Sequence, residues 1–388
     1  MNRFRDLLLS LLVAMVALSS CRKEEEIIPS SRVRVGVPGR PGKIKGFFLL
    51  NEANMGSNKA TLDYYDYTTA FYTRNIYAER NPNVVKELGD VGNDLQIHGS
   101  RLYAVINVSG LIEVMDVRTA KHIGKLSIPN CRYIAFKDGF AYVSSYAGPV
   151  KIDPNARLGY VAKVDTATLK VVAECPVGYQ PDELLIQGDK LYVANSGGYR
   201  APNYDKTISI IDLKTFSEEK QVDVAINLHR LQLDNYGKIW ASSRGDYKGV
   251  PSRLFVFDPK TEHVTNTLEV GCSNMALSGD SLFVYSSEWS YLTGKNTISY
   301  TVIDTKKQEV IDRNFIKDGT DKEIQLPYGL AINSEQGELY LTDAQDYVHP
   351  GQLHCYDLKT GRRKWSVKTG DIPAHIAFTT QPLHPLHH

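Results

Sequence analysis

Short stretches of alternating apolar and polar residues recur along the chain at intervals of about 45 residues. Each stretch is rich in aromatic and β-branched residues, as in K-L-Y-V-A-N, and its period of two predicts a half-buried β-strand. A fixed period of this length is typical of one supersecondary unit that is repeated and stacked. The strands predicted in this way are 46–53, 101–108, 140–147, 190–197, 238–245, 281–288 and 338–345.

A second strand follows each of these and carries an aspartate near its end, as in T-I-S-I-I-D-L. Turn segments such as Leu-Lys-Thr come next, so we predict that the aspartate accepts backbone N–H groups of the turn. The second strands are 61–67, 111–117, 160–166, 207–213, 253–259, 299–305 and 352–358.

Each repeat also contains an outer strand, such as 169–177, and an apolar segment that begins the next repeat, such as 181–187. Four antiparallel strands in each of seven repeats predict an all-β fold, a seven-bladed β-propeller over residues 44–380. The first repeat lacks an innermost strand, whereas an unmatched one, 374–380, ends the last repeat. We predict that this C-terminal strand joins the first blade and closes the ring, followed by a tail over 381–388.

The N-terminal residues have a different composition from the repeats. Arg3 and Arg5 precede an apolar run that is too short for a spanning helix but has the length of a signal-peptide core. The tetrapeptide Leu-Ser-Ser-Cys at 18–21 resembles a bacterial lipobox. We therefore predict a lipoprotein signal peptide over 1–20 and lipidation of Cys21, with an ordinary secretory signal as the alternative.

Residues 21–43 are predicted to be the lipidated N-terminus and a flexible tether. The cluster Arg-Lys-Glu-Glu-Glu at 22–26 resembles the surface-export signal of Bacteroidota lipoproteins, and a solvated charged tether is the alternative. Residues 27–43 are rich in Pro, Gly and Ser, as flexible spacers are. We expect a lipid-anchored protein of the outer membrane that faces the cell exterior.

The charge balance argues against a polyanionic partner. Loss of Arg3, Arg5 and Asp6 with the signal peptide leaves 43 of the 45 basic and 43 of the 44 acidic residues, a net charge of zero. Nucleic-acid binding generally requires a basic excess, so no nucleic acid is expected. The four remaining cysteines, Cys131, Cys175, Cys272 and Cys355, are far apart, which favours isolated buried thiols over disulfides or a zinc site.

No catalytic or metal-binding motif stands out in the sequence. It contains no H-E-x-x-H and no G-x-S-x-G, and the Gly-rich G-V-P-G-R-P-G-K lacks the spacing and the Ser/Thr of a phosphate loop. Three histidines lie in the C-terminal H-P-L-H-H, where a polar tail explains them better than a metal site does. We therefore expect a binding protein without a catalytic residue, cofactor or metal.

The loops within the strand pairs carry the most distinctive residues. Five of them, 145–159, 195–206, 243–252, 287–296 and 343–351, are longer than strand reversal requires. Aromatic and arginine side chains give large contact areas at low entropic cost, as binding surfaces do. The candidate ligand-binding residues on these loops are Tyr146, Tyr199, Arg200, Tyr204, Arg244, Tyr247, Trp289, Tyr291, Tyr347 and His349. The connections between blades add Arg132, Tyr133, Tyr179, His229, Asn274, Tyr328 and His375.

The repeated K-L-Y-V-A-N-S-G-G and I-S-I-I-D motifs resemble those of seven-bladed propellers of the YncE-like or surface-layer type. The opening N-E-x-N-x-G-S-N within 47–66 is similar to that of Bacteroidota lipoproteins that include the BtuG-type proteins. This resemblance implies capture of cobalamin (vitamin B12) or a related corrinoid at the cell surface. It also implies transfer of that ligand to a BtuB-like TonB-dependent transporter, with cobalamin as the transported ligand rather than a cofactor.

Two other functions are compatible with the residues. A hydrolase of the lactonase type would hold a divalent metal at the channel, where Glu52, Asn274 and His229 could approach one another. An adhesin for glycans or proteins would use the same loops, with Trp289 and Tyr291 as stacking platforms. Both alternatives remain open from the sequence alone.

Overall fold

The computed structural model describes residues 30–40, 42–84, 87–290 and 295–385. Several predictions fall on other residues: the signal peptide 1–20, the lipidation site Cys21, the tether residues 22–29 and Pro41, the loop residue Tyr291 and the tail residues 386–388 lie outside the described residues. Within the described part of the chain, no helix is long and apolar enough to cross a membrane.

Seven antiparallel sheets form the blades of a propeller, which confirms the predicted fold class. The strands of the first three blades are, in blade 1, β1 (Ser31–Arg34), β2 (Gly46–Asn51), β3 (Thr61–Asp66), β4 (Phe71–Arg74) and the C-terminal β29 (Pro373–Thr379); in blade 2, β5 (Gly92–His98), β6 (Arg101–Ile106), β7 (Leu111–Asp116) and β8 (His122–Ser127); and in blade 3, β9 (Cys131–Lys137), β10 (Phe140–Ser145), β11 (Tyr160–Asp165) and β12 (Lys170–Pro176).

The remaining strands continue the pattern. They are, in blade 4, β13 (Pro181–Gln187), β14 (Lys190–Asn195), β15 (Thr207–Asp212) and β16 (Ser217–Asp223); in blade 5, β17 (Leu228–Leu233), β18 (Ile239–Ser243), β19 (Arg253–Asp258) and β20 (His263–Leu268); in blade 6, β21 (Asn274–Ser278), β22 (Ser281–Ser290), β23 (Lys295–Asp304) and β24 (Glu309–Asp312); and in blade 7, β25 (Pro327–Asn333), β26 (Glu338–Asp343), β27 (Pro350–Asp357) and β28 (Arg363–Asp371). A short helix, α1 (Ile76–Arg80), joins blades 1 and 2, and a 3₁₀ turn (Thr320–Glu323) precedes β25.

Apolar side chains fill the space between each pair of neighbouring blades. Between blades 1 and 7, for example, Phe47 and Tyr72 pack with Tyr340, Leu353 and Val367. Because each blade buries one face against each neighbour, no blade has a complete core of its own. The four cysteines of the described residues are buried and free, as predicted.

The C-terminal strand closes the ring as the sequence predicts. β29 pairs antiparallel with β2, from Gly46 opposite Thr379 to Asn51 opposite Pro373. The first and last parts of the chain therefore share one sheet, and the inner edge of β2 is not exposed.

The recurring aspartates have the turn role that was predicted for them. Asp165, for example, accepts the backbone N–H groups of Ala167 and Thr168 at 2.9 and 2.8 Å. These bonds lower the pKa of Asp165, that of Thr168 being the largest contribution. The aspartates explain how the strands reverse and give no sign of chemistry.

One segment of the predicted tether is ordered. β1 pairs with β4 and adds a fifth strand to the outer edge of blade 1. These residues were predicted to lie in a flexible spacer because residues 27–43 are rich in Pro, Gly and Ser. The pairing is tertiary, since the partner strand lies about forty residues further along the chain.

Candidate ligand-binding face

One end of the propeller carries the long loops, and we call it the loop face. In each four-stranded antiparallel blade, the link between the second and third strands and the connection to the next blade lie at the same end. The short reversals between the other strands lie at the opposite end, the turn face. The innermost strands begin at the loop face, and their first residues form the mouth of the central channel.

A bulge interrupts most of the innermost strands just below the mouth. The register with the second strand slips between Cys131 and Ile134 in blade 3, and it slips in the same way in blades 1, 2, 4, 5 and 7. β21 pairs with β22 without a slip. A bulge leaves extra residues unpaired and redirects their side chains, and here those residues include Arg132, Asp182, Glu183, His229 and Arg230.

Asp182 is the centre of a polar cluster on one side of the mouth. Its side chain is fully buried, and its two oxygens accept hydrogen bonds from Arg132 Nε at 3.3 Å, Tyr146 OH at 2.6 Å and Arg244 Nη1 at 3.0 Å. Arg132 also lies 4.7 Å from the ring centre of Tyr146. Burial raises the pKa of the Tyr146 hydroxyl, so it remains a donor to the carboxylate.

A second group adjoins this cluster. Tyr133 OH lies 3.0 Å from His229 Nε2, and the Arg230 guanidinium lies 5.3 Å from the Tyr133 ring centre. Arg230 is loosely paired with Glu183 at 3.6 Å. Burial, and then the positive charges of Arg244, Arg230 and Arg132, hold the pKa of His229 well below its ordinary value, so this imidazole is neutral at pH 7. We call Arg132, Arg230, Arg244, Asp182, Glu183 and His229 the arginine side of the mouth.

The opposite side of the mouth is built round Glu52, from the N-E-x-N opening. Glu52 accepts a hydrogen bond from Tyr328 OH at 2.7 Å and lies 2.9 Å from His375 Nε2. Tyr347 packs edge-on against Tyr328 with ring centres 6.1 Å apart, and Asn54 donates to the Tyr347 carbonyl. The opening motif therefore ties the loops of blades 1 and 7 together.

Amide side chains position three of the long loops. Asn130, Gln180 and Asn227 each precede an innermost strand and have positive φ values of 46°, 48° and 54°, a conformation that asparagine tolerates better than most residues. Asn130 donates to Gly148 O at 2.8 Å, Gln180 accepts from Tyr199 N at 2.6 Å and Asn227 donates to Gly245 O at 3.0 Å. The same device thus holds the loops of blades 3, 4 and 5 over the mouth.

A cavity of about 740 Å³ lies under the loop 146–159, between blades 2 and 3. Its wall includes Met55, Asn107, Asn130, Tyr146 and Gln180. Amide and aromatic groups in one concave site are suited to a large ligand with hydrogen-bonding substituents. Only Tyr146 of this wall was singled out from the sequence.

The rim of the loop face carries exposed apolar side chains. Tyr247 and Trp289 are each 51% exposed, and Tyr347 is 43% exposed. Met55 and Val348 are also exposed on these loops. Large apolar side chains exposed together on one face are typical of a binding surface.

The structure brings together some of the predicted residues and separates others. Arg132, Tyr146 and Arg244 meet at Asp182, Tyr199 packs edge-on against Tyr146 at 6.1 Å, and Arg200 lies 3.5 Å from the ring centre of Tyr179. Tyr204 is half-buried in the blade 4 loop. His349 is exposed and pairs with Asp346 of its own loop at 2.7 Å, so its contacts organise that loop.

Blade 6 differs from the predicted loop. The sequence analysis treated 287–296 as a long loop, whereas β22 extends to Ser290 and β23 begins at Lys295, with Trp289 opposite Asn296. The polar residues Ser286, Ser287 and Glu288 do not show the alternation expected of a strand, and the strand continues there through its pairing with β23. Trp289 therefore lies on an extended hairpin instead of on an irregular loop.

Asp182, Glu183 and Arg230 were missed by sequence reasoning. Each lies at the start of an apolar strand segment, where a polar pair was taken for ordinary alternation. The available signal was that two polar residues in succession, Asp-Glu and His-Arg, interrupt the period of two at the same position of neighbouring repeats. Such an interruption is what a bulge produces.

The residues of the hydrolase alternative have other partners. Glu52 is bonded to His375 and Tyr328, His229 to Tyr133, and Asn274 Nδ2 donates to the Tyr328 carbonyl at 3.2 Å. Over residues 30–40, 42–84, 87–290 and 295–385, no group of three or more His, Cys, Asp or Glu side chains is arranged to hold a metal ion.

The fold and this face define a seven-bladed β-propeller with an open, aromatic-rimmed end. The chain belongs to the DUF5074 family, described as a domain of unknown function, whose model matches residues 45–379. None of the curated proteins matches the chain.

Two solved structures are similar in fold. Kuenenia stuttgartiensis hydrazine synthase has 18% sequence identity and a TM-score of 0.57, over 69% of this chain and 77% of that one. The Neurospora crassa Pan2 WD40 domain has 13% identity and a TM-score of 0.50, over 75% and 80% of the two chains. At these identities the likeness concerns the fold alone.

Proposed function

We propose that this protein is a lipid-anchored binding protein of the outer surface that captures cobalamin or a related corrinoid on its loop face. A corrinoid is a broad macrocycle with amide groups round its edge. The observation that carries the proposal is that exposed aromatic side chains, Tyr247, Trp289 and Tyr347, lie on the same face of the propeller as an amide-lined cavity. Such a face can cover the ring and hydrogen-bond its amides.

The state of the ionisable groups supports binding without chemistry. Asp182 is shared by Arg132 and Arg244, and Glu52 is held between His375 and Tyr328. A nucleophile or general base needs a neighbour that activates it, together with access to the substrate. Here the Asp182 and Glu52 carboxylates are already engaged by neighbouring side chains, which favours a rigid binding surface.

The position of β1 supports delivery of the ligand to a membrane partner. β1 runs antiparallel to β4, so it begins at the loop face, and Ser30 Oγ donates to Glu79 of the adjacent connection at 2.6 Å. Eight residues lie between Cys21 and Ser30, so the Cα atoms of these two residues can be at most about 30 Å apart. A lipid on Cys21 would therefore keep the loop face near the membrane, where a TonB-dependent transporter of the BtuB-like kind could receive the ligand.

The test is a spectrophotometric titration of the purified protein with cyanocobalamin at micromolar concentration. We expect saturable binding at one site per chain, with a change in the corrin absorption as the ligand leaves water. Absence of binding at this concentration would remove the corrinoid from the proposal. A control titration with protein unfolded in urea separates site binding from adsorption.

A further inference from the structure

The arginine side of the mouth has an uneven charge balance. Three guanidinium groups, Arg132, Arg230 and Arg244, face two carboxylates, Asp182 and Glu183. The neutral His229 adds no charge. At neutral pH these residues alone therefore sum to one net positive charge. The buried Asp94 interacts electrostatically with both Arg230 and His375, so it lies between this side and Glu52, and burial raises its pKa.

Two polar atoms on the same side have no partner in the described residues. They are Arg230 Nε and His229 Nδ1, and both are buried. Neighbouring polar atoms already have hydrogen-bond partners: His229 Nε2 lies beside Tyr133 OH, and Glu183 accepts the backbone N–H of Leu231 at 2.7 Å. Arg230 Nε is a donor, and His229 Nδ1 is one in the tautomer whose Nε2 accepts from Tyr133 OH. Buried polar groups in native proteins are normally hydrogen-bonded, so unpaired ones at a channel mouth indicate a place for an incoming acceptor.

We infer that the arginine side of the mouth binds a singly charged oxyanion carried by the ligand. The three guanidinium groups supply the attraction, and the fork of Arg230, with its unpaired Nε, supplies directed donors of the kind that phosphate oxygens prefer. This inference rests on the proposed function. For a cobalamin, the group is the phosphodiester of its nucleotide loop, and the macrocycle would then lie across the aromatic rim.

A comparison of two ligands isolates this group. Cyanocobalamin contains the phosphodiester, whereas the cyano form of cobinamide keeps the amide-bearing macrocycle and lacks the nucleotide and its phosphate. The variants are Arg230→Gln and Arg244→Gln, each of which removes one positive charge. In Arg244→Gln the Asp182 carboxylate keeps Arg132 and Tyr146, so the fold retains its main contacts at this point. Arg118→Gln, on an exposed reversal of the turn face, is the matched control.

We expect each mouth variant to weaken cyanocobalamin binding by about ten-fold or more, because a charge-assisted hydrogen bond is lost. Cobinamide binding should change by less than about two-fold, and the control should leave both ligands unaffected. Raising the salt concentration should weaken cobalamin binding more than cobinamide binding, since only the former includes the ion pair.

Equal losses for both ligands, or no loss for either, would overturn the anion assignment and leave the proposed function standing. Failure of the unaltered protein to bind either ligand would remove the proposed function and this assignment with it. Melting curves of the variants check that the fold is intact. An unchanged affinity for cobinamide is a second check, because it shows that the rest of the binding face is unaltered.

Discussion

Asp182 is the residue on which the mouth depends most. Its fully buried carboxylate is the shared partner of Arg132, Arg244 and Tyr146, contributed by blades 3 and 5. Removing one partner of a buried ion pair leaves uncompensated charge, which typically costs about 3–5 kcal/mol. We therefore expect Asp182→Asn to lower the free energy of unfolding by about 3 kcal/mol, measured by urea denaturation.

Asp138→Asn is the control for this change, because the Asp138 side chain is 80% exposed and its ion pair with Lys137 is long, at 4.0 Å. It should leave the unfolding curve in place. Equal stability of the Asp182 variant and the native protein would show that the two arginines need no buried counter-charge.

His354 should make the stability depend on pH. Burial, and then the charge of Arg363, lower its pKa to about 4, while Ser366 Oγ lies 2.7 Å from its Nδ1. The unfolded chain binds a proton near pH 6.5, so this contribution is complete above pH 6.5 and is lost as the pH falls toward 4. Between those values the native protein should lose about 3 kcal/mol more than His354→Gln.

The measurement is the free energy of urea unfolding at pH 7, 5.5 and 4 for the native protein and the variant. The difference between the two curves isolates His354, since the other titrating groups are common to both. His263→Gln, a change at an exposed strand position, is the control. Parallel curves for the native protein and His354→Gln would contradict the assignment.

At the level of elements, β29 is the strand that closes the ring. It contributes the innermost strand of blade 1 and the channel residue His375. Removal of residues 371–388 should expose the inner edge of β2 and abolish the cooperative melt, as followed by circular dichroism. Removal of 386–388 alone is the control and should leave the melting temperature unchanged. A cooperative melt at the native temperature in the long truncation would contradict the closure.

The sequence allows the strands to be predicted more completely than the site. Aromatic alternation marks β6, β14 and β26 because each packs between two blades, so the core-forming pattern is local. β1 could not be predicted in this way, because Val33 is its only apolar residue and the segment becomes a strand only by pairing with β4. The role of Asp182 could not be predicted either, because its partners Arg132 and Arg244 are fifty or more residues away in the sequence.

The aromatic residues of the loops could be found from the sequence because their composition is unusual for turns. What each one does depends on neighbours from other blades. Tyr146 is buried against Arg132, whereas Tyr247 is half exposed at the rim. His349, similar in sequence context, is engaged by Asp346 of its own loop. Composition therefore locates the face, and the contacts between blades distinguish its floor from its rim.

At the scale of the whole molecule, the ring brings side chains from all parts of the chain to one end. Glu52 and His375, more than three hundred residues apart, are neighbours at 2.9 Å. β1 begins at the same end, so the proposed lipid anchor and the proposed ligand site lie at the same end of the propeller. A ligand held on the loop face would lie between the propeller and the membrane.

The central claim is that the loop face binds a corrinoid. Calorimetric titration with cyanocobalamin tests it most directly, with the native protein compared with a variant that lacks the exposed aromatic side chains of the rim. The rim variant combines Tyr247→Ala, Trp289→Ala and Tyr347→Ala, and Tyr236→Ala, an exposed tyrosine of the turn face, is the control. We predict saturable binding by the native and control proteins and binding at least about a hundred-fold weaker by the rim variant. No heat of binding with the native protein, or equal affinity in the rim variant, would contradict the account.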